Sequence, residues 1–285
     1  MPEGFGERLV SVFDSLGQLC VGIDPHRYLL EQWGLHDDPR GLRDFGLRVV
    51  EAAAGRVGIV KPQVAFFERH GAAGYSALEA VLAAAREAGL IVIADVKRGD
   101  LGTSVEAYAE AWLTPDAPLE VDAMTISAYQ GVGSIAAPLN IAEANGKGLF
   151  VLSATSNPEA RSIQTARLAD GRTVAASIVD DVTEWNRAHA GSVGSAGPVG
   201  SIGVVLGATV TFSHYDIELG SLSSTPVLAP GFGHQGASYH DLASLFGPAA
   251  SMAVVSSSRA ILQAGPTGIA EAVAAQAAEV LACRG

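Results

Sequence analysis

Residues 90–100 read Leu90-Ile91-Val92-Ile93-Ala94-Asp95-Val96-Lys97-Arg98-Gly99-Asp100, an apolar run whose C-terminal end turns into carboxylate, ammonium, guanidinium and carboxylate. Continuous rather than alternating hydrophobicity marks a strand covered on both faces, as in a parallel sheet. Seven more runs of the same kind flank it: LCVGID (19–24), VGIVK (57–61), VDAMTIS (121–127), GLFVLSAT (148–155), SIGVVLGAT (201–209), PVLAP (226–230) and MAVVSS (252–257). Between the runs lie stretches rich in helix formers, such as GLRDFGLRVVEAAAGR, YSALEAVLAAAREAG and GIAEAVAAQAAEVLAC. Gly55, Gly89 and Gly146 follow three of these stretches where a left-handed C-cap residue belongs. Strand then helix, repeated eight times over about 250 residues, predicts an α/β fold: a single (β/α)8 TIM barrel, with residues 1–285 forming one catalytic domain. FGERLVSVFDSLG, before the first run, predicts an extra N-terminal helix closing the barrel floor. A doubly wound open sheet is the alternative arrangement of the same elements.

Composition narrows the function. The 285 residues are 48% hydrophobic, which excludes a disordered chain, and no run approaches the ~20 apolar residues that cross a bilayer. The start, MPEGFGERLV, has no basic region ahead of an apolar core, so a cytoplasmic protein is expected. Two cysteines, Cys20 and Cys283, cannot build a disulfide framework or a structural zinc site alone. A net charge of -12 without a basic stripe argues against nucleic acid as the partner, while leaving room for a small anion held by a few local cations.

In a barrel the chemistry sits at the C-terminal ends of the strands. By strand alternation Asp95 and Lys97 project to the same side, with Asp100 just beyond in the loop. Only three of the 18 basic residues are lysine, Lys61, Lys97 and Lys147, and the first two end apolar runs. Lysine can donate a proton where guanidinium essentially cannot. Two strand-end lysines on neighbouring strands, one flanked by aspartates, predict a functional cluster of Lys61, Asp95, Lys97 and Asp100. Alternating charge in that cluster keeps the lysines protonated. Asp24, before Pro25, is either an acceptor for a sugar hydroxyl or a turn former.

Late in the chain, Ala229-Pro230-Gly231-Phe232-Gly233-His234-Gln235-Gly236 follows the seventh run and Ser256-Ser257-Ser258-Arg259 the eighth. Phosphate sites in barrels are often built from these two loops, with backbone N–H groups at a short helix start. Arg259 supplies charge and Gln235 a neutral donor. Gly231, Gly233 and Gly236 also fit a G-x-G-x-x-G spacing, but no acidic residue stands about 20 positions on, so a backbone phosphate cradle is the better reading. The seven histidines show no metal-ligand pairing, and no metal site is expected. The longest connection, 155–172, reads either as a lid over the site or as a solvated insertion.

Ala94-Asp95-Val96-Lys97-Arg98-Gly99-Asp100, Lys61 one strand earlier, Pro230-Gly231 through Gln235-Gly236 and Arg259 together resemble the orotidine 5'-phosphate decarboxylase family, in its longer bacterial group with the motif D-x-K-R-G-D. The resemblance spans the whole barrel. It implies decarboxylation of orotidine 5'-monophosphate to uridine 5'-monophosphate and CO2, the last step of de novo pyrimidine nucleotide synthesis, without cofactor. It further implies that Lys97 protonates C6, Asp95 sits beside the substrate carboxylate, and Asp100 arrives from the partner of a homodimer to complete a network with Lys61. Substrate contacts follow for Asp24 (ribose), Ser156 (pyrimidine edge), and Gln235, Ser258 and Arg259 (phosphate), with Thr125 at a further strand end. Ser104 stands where the family usually has Thr, keeping a hydroxyl that reaches the partner's ribose. Ser258 stands where Gly is common. The rival readings are a magnesium-dependent sugar-phosphate lyase of the same barrel superfamily, against which the extra Lys61 speaks, and a non-catalytic phosphoribosyl-ligand sensor.

Overall fold

The computed structural model describes residues 3–189, 199–233 and 236–283. Eight parallel strands close into a barrel in chain order: β1 (Leu19–Ile23), β2 (Ile59–Pro62), β3 (Ile91–Arg98), β4 (Ala123–Ile126), β5 (Gly148–Ala154), β6 (Ile202–Leu206), β7 (Val227–Pro230) and β8 (Ala253–Ser257). β8 pairs back onto β1, so the sheet has no edge and the doubly wound alternative is excluded. Each strand coincides with one of the eight apolar runs.

Alternation along the strands sorts their side chains into two layers. Cys20, Ile59, Ile93, Ala123, Phe150 and Leu228 fill the barrel interior, while Val21, Val60, Val92, Met124 and Val151 face outward into the larger core beneath the helices. The N-terminal helix Phe5–Leu16 adds Phe5, Leu9 and Phe13, spaced four apart, to the interior cluster and closes the floor as expected. Phe5 meets Phe150 edge-on, with centroids 5.9 Å apart. Arg8 of this helix pairs with Asp122 and bonds the Gly146 carbonyl, and Lys147, the third lysine, pairs with Glu120 at 2.6 Å just before β5 begins. Lys147 therefore belongs to the floor, at the opposite end from the other two lysines.

The outer helices follow local sequence rules. Helix Pro39–Ala53 starts with Asp38, whose side chain accepts from the Gly41 N–H at 2.7 Å, and with proline at its first position. Its Leu42, Phe45, Val49 and Ala53 form the buried stripe. Gly55, Gly89 and Gly146 all take positive φ at the helix ends where they were expected to. The strand-helix repeat does not hold throughout. The described chain between β6 and β7 makes only two 3₁₀ turns, Phe212–Tyr215 and Leu219–Leu222. Its buried residues Phe212, Tyr215, Ile217 and Leu222 lack a 3.6-residue spacing, and Asp216 breaks the segment with φ 52°. The long 155–172 connection is likewise ordered. It holds a 3₁₀ turn (Pro158–Ala160) and a helical turn (Arg161–Gln164), and the Gln164 amide bonds both the N–H and the hydroxyl of Thr155 at 3.0 Å. Among the described residues no helix is long and apolar enough to cross a membrane.

Candidate active site

One interior level above Ile59 and Ile93, alternation brings Lys61 of β2 and Asp95 of β3 into the barrel at its C-terminal mouth. Both are buried, 7% exposed each, and Lys61 Nζ lies 2.8 Å from Asp95 Oδ2. Lys97 Nζ lies 2.5 Å from the other oxygen, Oδ1, with its side chain half exposed toward the mouth. Two further donors complete the carboxylate's shell: Gln63 Nε2 to Oδ2 at 2.9 Å and Thr125 Oγ1 to Oδ1 at 2.9 Å. Asp95 thus accepts four hydrogen bonds, two of them from ammonium groups.

Charge follows from this packing. Burial alone raises a carboxylic acid's pKa, but the adjacent Lys61 and Lys97 outweigh it and hold Asp95 well below the usual carboxylate range. Burial pulls Lys61 down, yet the carboxylates of Asp95 and Asp24 reverse that and raise it above an ordinary lysine. The site is therefore a fixed array of charges at neutral pH. Cys20 lies below it in the interior, where burial pushes the thiol up to about 12.

Alternation along a regular strand was the ground for expecting Asp95 and Lys97 to meet. They meet by another route. Lys97 takes φ 48°, in the left-handed region, and the β3–β4 register shifts between Ala94, paired with Met124, and Arg98, paired with Ile126. The strand is therefore irregular at the lysine itself, and a backbone twist aims the ammonium at Asp95.

A polar cavity of about 190 Å³ opens beside the pair, walled by Lys61 of β2, by residues following β1 and β2 (Asp24, His26, Gln63) and by residues following β7 and β8 (Gly231, Phe232, Ser258, Arg259). Asp24 Oδ2 accepts from the Ser258 hydroxyl at 2.6 Å, whereas its buried Oδ1 has no protein partner, an acceptor left for a ligand hydroxyl. Across the cavity, Gly231, Gly233 and Gly236 all have positive φ, so this loop needs glycine to hold its shape. Phe232 stacks on Tyr239, whose hydroxyl bonds Ser257 at 3.0 Å, anchoring the loop to β8. Ser258 precedes the four-residue helix Arg259–Leu262. Burial lowers the pKa of His26, with Arg259 and Arg69 adding to the effect against the pull of Asp24, which keeps the ring neutral at pH 7.

Of the expected site residues, Lys61, Asp95, Asp24, Ser258 and Arg259 line this cavity, and Lys97 is tied to it through Asp95. Thr125 stands behind Asp95, 1% exposed, away from the cavity wall. Asp100 does not join the other three charges within the chain; its carboxylate accepts from the Leu101 N–H at 2.9 Å. Ser104 is exposed in the first turn of helix Gly102–Leu113, and Ser156 is exposed after β5, beside Gly207. Gln235 and His234 lie outside the described residues. Gln63 and His26 were not singled out in advance as site residues. Gln63 sits two residues beyond Lys61 and directly opposite Asp95 in the β2–β3 register, so the alternation that exposed Lys61 also marks it.

This arrangement holds an ammonium against a buried carboxylate beside a cavity with an arginine in its wall. The model of the orotidine 5'-phosphate decarboxylase / HUMPS family matches residues 17–274. Curated orotidine 5'-phosphate decarboxylases from Salinispora tropica and Streptomyces coelicolor are 49% and 46% identical, each alignment covering more than nine-tenths of both chains. A crystal structure of a Streptomyces avermitilis relative superposes with a TM-score of 0.90 at 45% identity, covering 99% of this chain and 96% of that one. These relatives do not support the sugar-phosphate lyase reading, and the chain belongs to the orotidine 5'-phosphate decarboxylase family.

Proposed function

We propose that the cavity binds orotidine 5'-monophosphate and that Lys97 delivers the proton that replaces its carboxylate. The observation that carries this reading is the Lys61–Asp95–Lys97 array beside a cavity with Arg259 at its far wall. The phosphate belongs at Arg259 and the Gly231–Gly236 loop, the ribose at the free oxygen of Asp24, and the pyrimidine C6 at the Lys97 ammonium. As the C6–carboxylate bond breaks and CO2 leaves, its electron pair stays on C6. A fixed ammonium attracts that growing charge more strongly in the transition state than in the ground state, which is the condition for catalysis. The pair then takes a proton from Lys97 Nζ, giving uridine 5'-monophosphate, and solvent restores the ammonium. Asp95, ionised and hydrogen-bonded four ways, keeps the Lys97 ammonium oriented until that moment.

Asp100 and Ser104 act in the site of a second copy, in a homodimer. Supporting this, the Asp100 carboxylate bonds the Leu101 N–H rather than its own chain's cluster, and Leu101 and Tyr129 are 58% and 77% exposed. Closure of the 155–172 segment, which carries Ser156, would exclude water from the pyrimidine.

The test is the ultraviolet absorbance of orotidine 5'-monophosphate with purified protein and excess chelator. Wild type converts it to uridine 5'-monophosphate, and Lys97→Ala is slower by about 10³-fold or more. No conversion by a folded wild-type sample overturns the reading, and loss of conversion on adding chelator overturns its metal independence.

A further inference from the structure

Thr125 has a hydroxyl with one proton to donate and an oxygen able to accept. Both capacities are directed at the D-x-K segment. The proton goes to Asp95 Oδ1 at 2.9 Å, and the oxygen accepts the backbone N–H of Lys97 at 3.0 Å. The side chain is buried in the barrel interior from the centre of β4, and it is not part of the cavity wall. A hydroxyl so engaged has no proton left for a ligand.

The Lys97 backbone explains why such a bond matters. Lys97 is one of three non-glycine residues with positive φ among those described; the others, Asp116 and Asp216, are aspartates, a residue type that enters the left-handed region more readily. Lysine there is held only if its surroundings over-determine it. Four residues of β3 span two of β4 at this point, and the Lys97 N–H is taken by the Thr125 side chain. The same Asp95 oxygen that accepts from Thr125 accepts from Lys97 Nζ. One hydroxyl therefore ties the backbone of the lysine and the carboxylate rotamer of the aspartate to a single point on β4.

We propose that Thr125 is a positioning residue for the decarboxylation, locking Lys97 in its left-handed conformation and Asp95 in the rotamer that receives its ammonium, and does not itself contact substrate. This rests on the reading in which Lys97 protonates C6. Valine matches threonine in shape but supplies neither bond, and misplacing a reacting group by about 1 Å costs on the order of 10²-fold in rate.

The experiment compares full-length wild type, Thr125→Val and Thr125→Ser, with kcat and KM for orotidine 5'-monophosphate, the Kd of uridine 5'-monophosphate, and the pH dependence of kcat. For Thr125→Val we expect kcat to fall by about 10- to 100-fold with KM and Kd within about threefold. The acidic limb of its kcat profile should move to higher pH, because Asp95 loses a bond that stabilises its ionised form. Thr125→Ser should recover kcat to within about threefold. A folded Thr125→Val with wild-type kcat overturns the proposal, as does a variant whose KM rises while kcat is unchanged, since that is the behaviour of a substrate contact. Crystal structures of Thr125→Ser and Thr125→Ala supply a second reading should the valine variant fail to fold. Lys97 should keep its positive φ in the first and leave it in the second, and an unchanged Lys97 backbone in Thr125→Ala overturns the proposal. Because that readout does not need turnover, it separates failure of this role from failure of the decarboxylase reading, which would appear as an inactive wild type.

Discussion

Asp95 is buried with four donors around it, so its energetics are those of a desolvated charge whose partners are all present. Removing one partner from a buried pair costs more than forming the pair contributes. Lys61→Met should destabilise the protein by about 3 kcal/mol in urea unfolding, at the low end for a broken buried pair because Lys97 still faces Asp95. The pH dependence has a definite sign. Asp95 is depressed, so its contribution is complete above about pH 4 and drains away as pH falls toward its folded value. Lys61 is raised, so its contribution is complete below about pH 10 and is lost only as pH rises beyond that. The stability gap between wild type and Asp95→Asn should be widest from about pH 5 to 9 and shrink below about pH 4. A gap that stays constant through the acid range contradicts the depressed carboxyl. The thiols give a simpler check at the same scale. Cys20 is buried with its pKa pushed up to about 12, and Cys283 is half-buried at the end of the last helix. Native protein should expose one thiol to a disulfide reagent and denatured protein two; two fast thiols in the native state contradict the packed interior.

At the scale of elements, the N-terminal helix is the plug of the barrel and should act on stability without touching the chemistry at the other end. A Cβ on Gly148 would sit 2.4 Å from the Phe5 ring. Gly148→Ala should therefore cost about 1–3 kcal/mol by overpacking, and Phe5→Ala about 3–5 kcal/mol by opening a cavity. Combined, the two should cost less than their sum, because the second removes the ring the first collides with. Thermal denaturation of the three variants decides this, and strict additivity would mean that Phe5 and Gly148 do not meet. With substrate, kcat of all three below their melting range should match wild type.

The whole molecule bears on the completeness of the site. One chain gathers Lys61, Asp95 and Lys97 without Asp100 or Ser104, and in the proposed homodimer those two serve the site of the second copy. Sedimentation should give a particle of about twice the 29.2 kDa chain mass. Mixing Lys97→Ala with Asp100→Ala, each inactive alone, should restore up to about a quarter of wild-type activity. In the mixed dimer one of the two sites has both residues intact, and mixed dimers are about half the population. A monomer in solution, or no recovery from a mixture shown to exchange subunits, contradicts the shared site.

Strand positions, the closing helix and the residues at the strand ends were legible in the sequence because they follow from periods of 2 and 3.6 and from the rule that barrel chemistry sits at the C-terminal ends of strands. Lys61, Asp95 and Lys97 stood out for the same reason, as charged groups at the ends of runs otherwise free of charge. The order of the strands required no more than their number and their alternation with helices. What the sequence did not disclose depends on contacts between residues far apart in the chain. The left-handed Lys97 has no local signature, since nothing in Asp95-Val96-Lys97 calls for positive φ; it exists because the register against β4 shifts there and Thr125, 28 residues away, takes up its N–H. In the sequence Thr125 is one more strand-end hydroxyl, and its two partners meet it only in the folded barrel. Likewise the bond from Ser258 to Asp24 joins the two ends of the chain, 234 residues apart, where β8 closes on β1. Periodicity fixes which face a side chain occupies, but only closure of the barrel decides which side chains share that face, because closure alone brings the ends of eight separate strands within hydrogen-bonding reach.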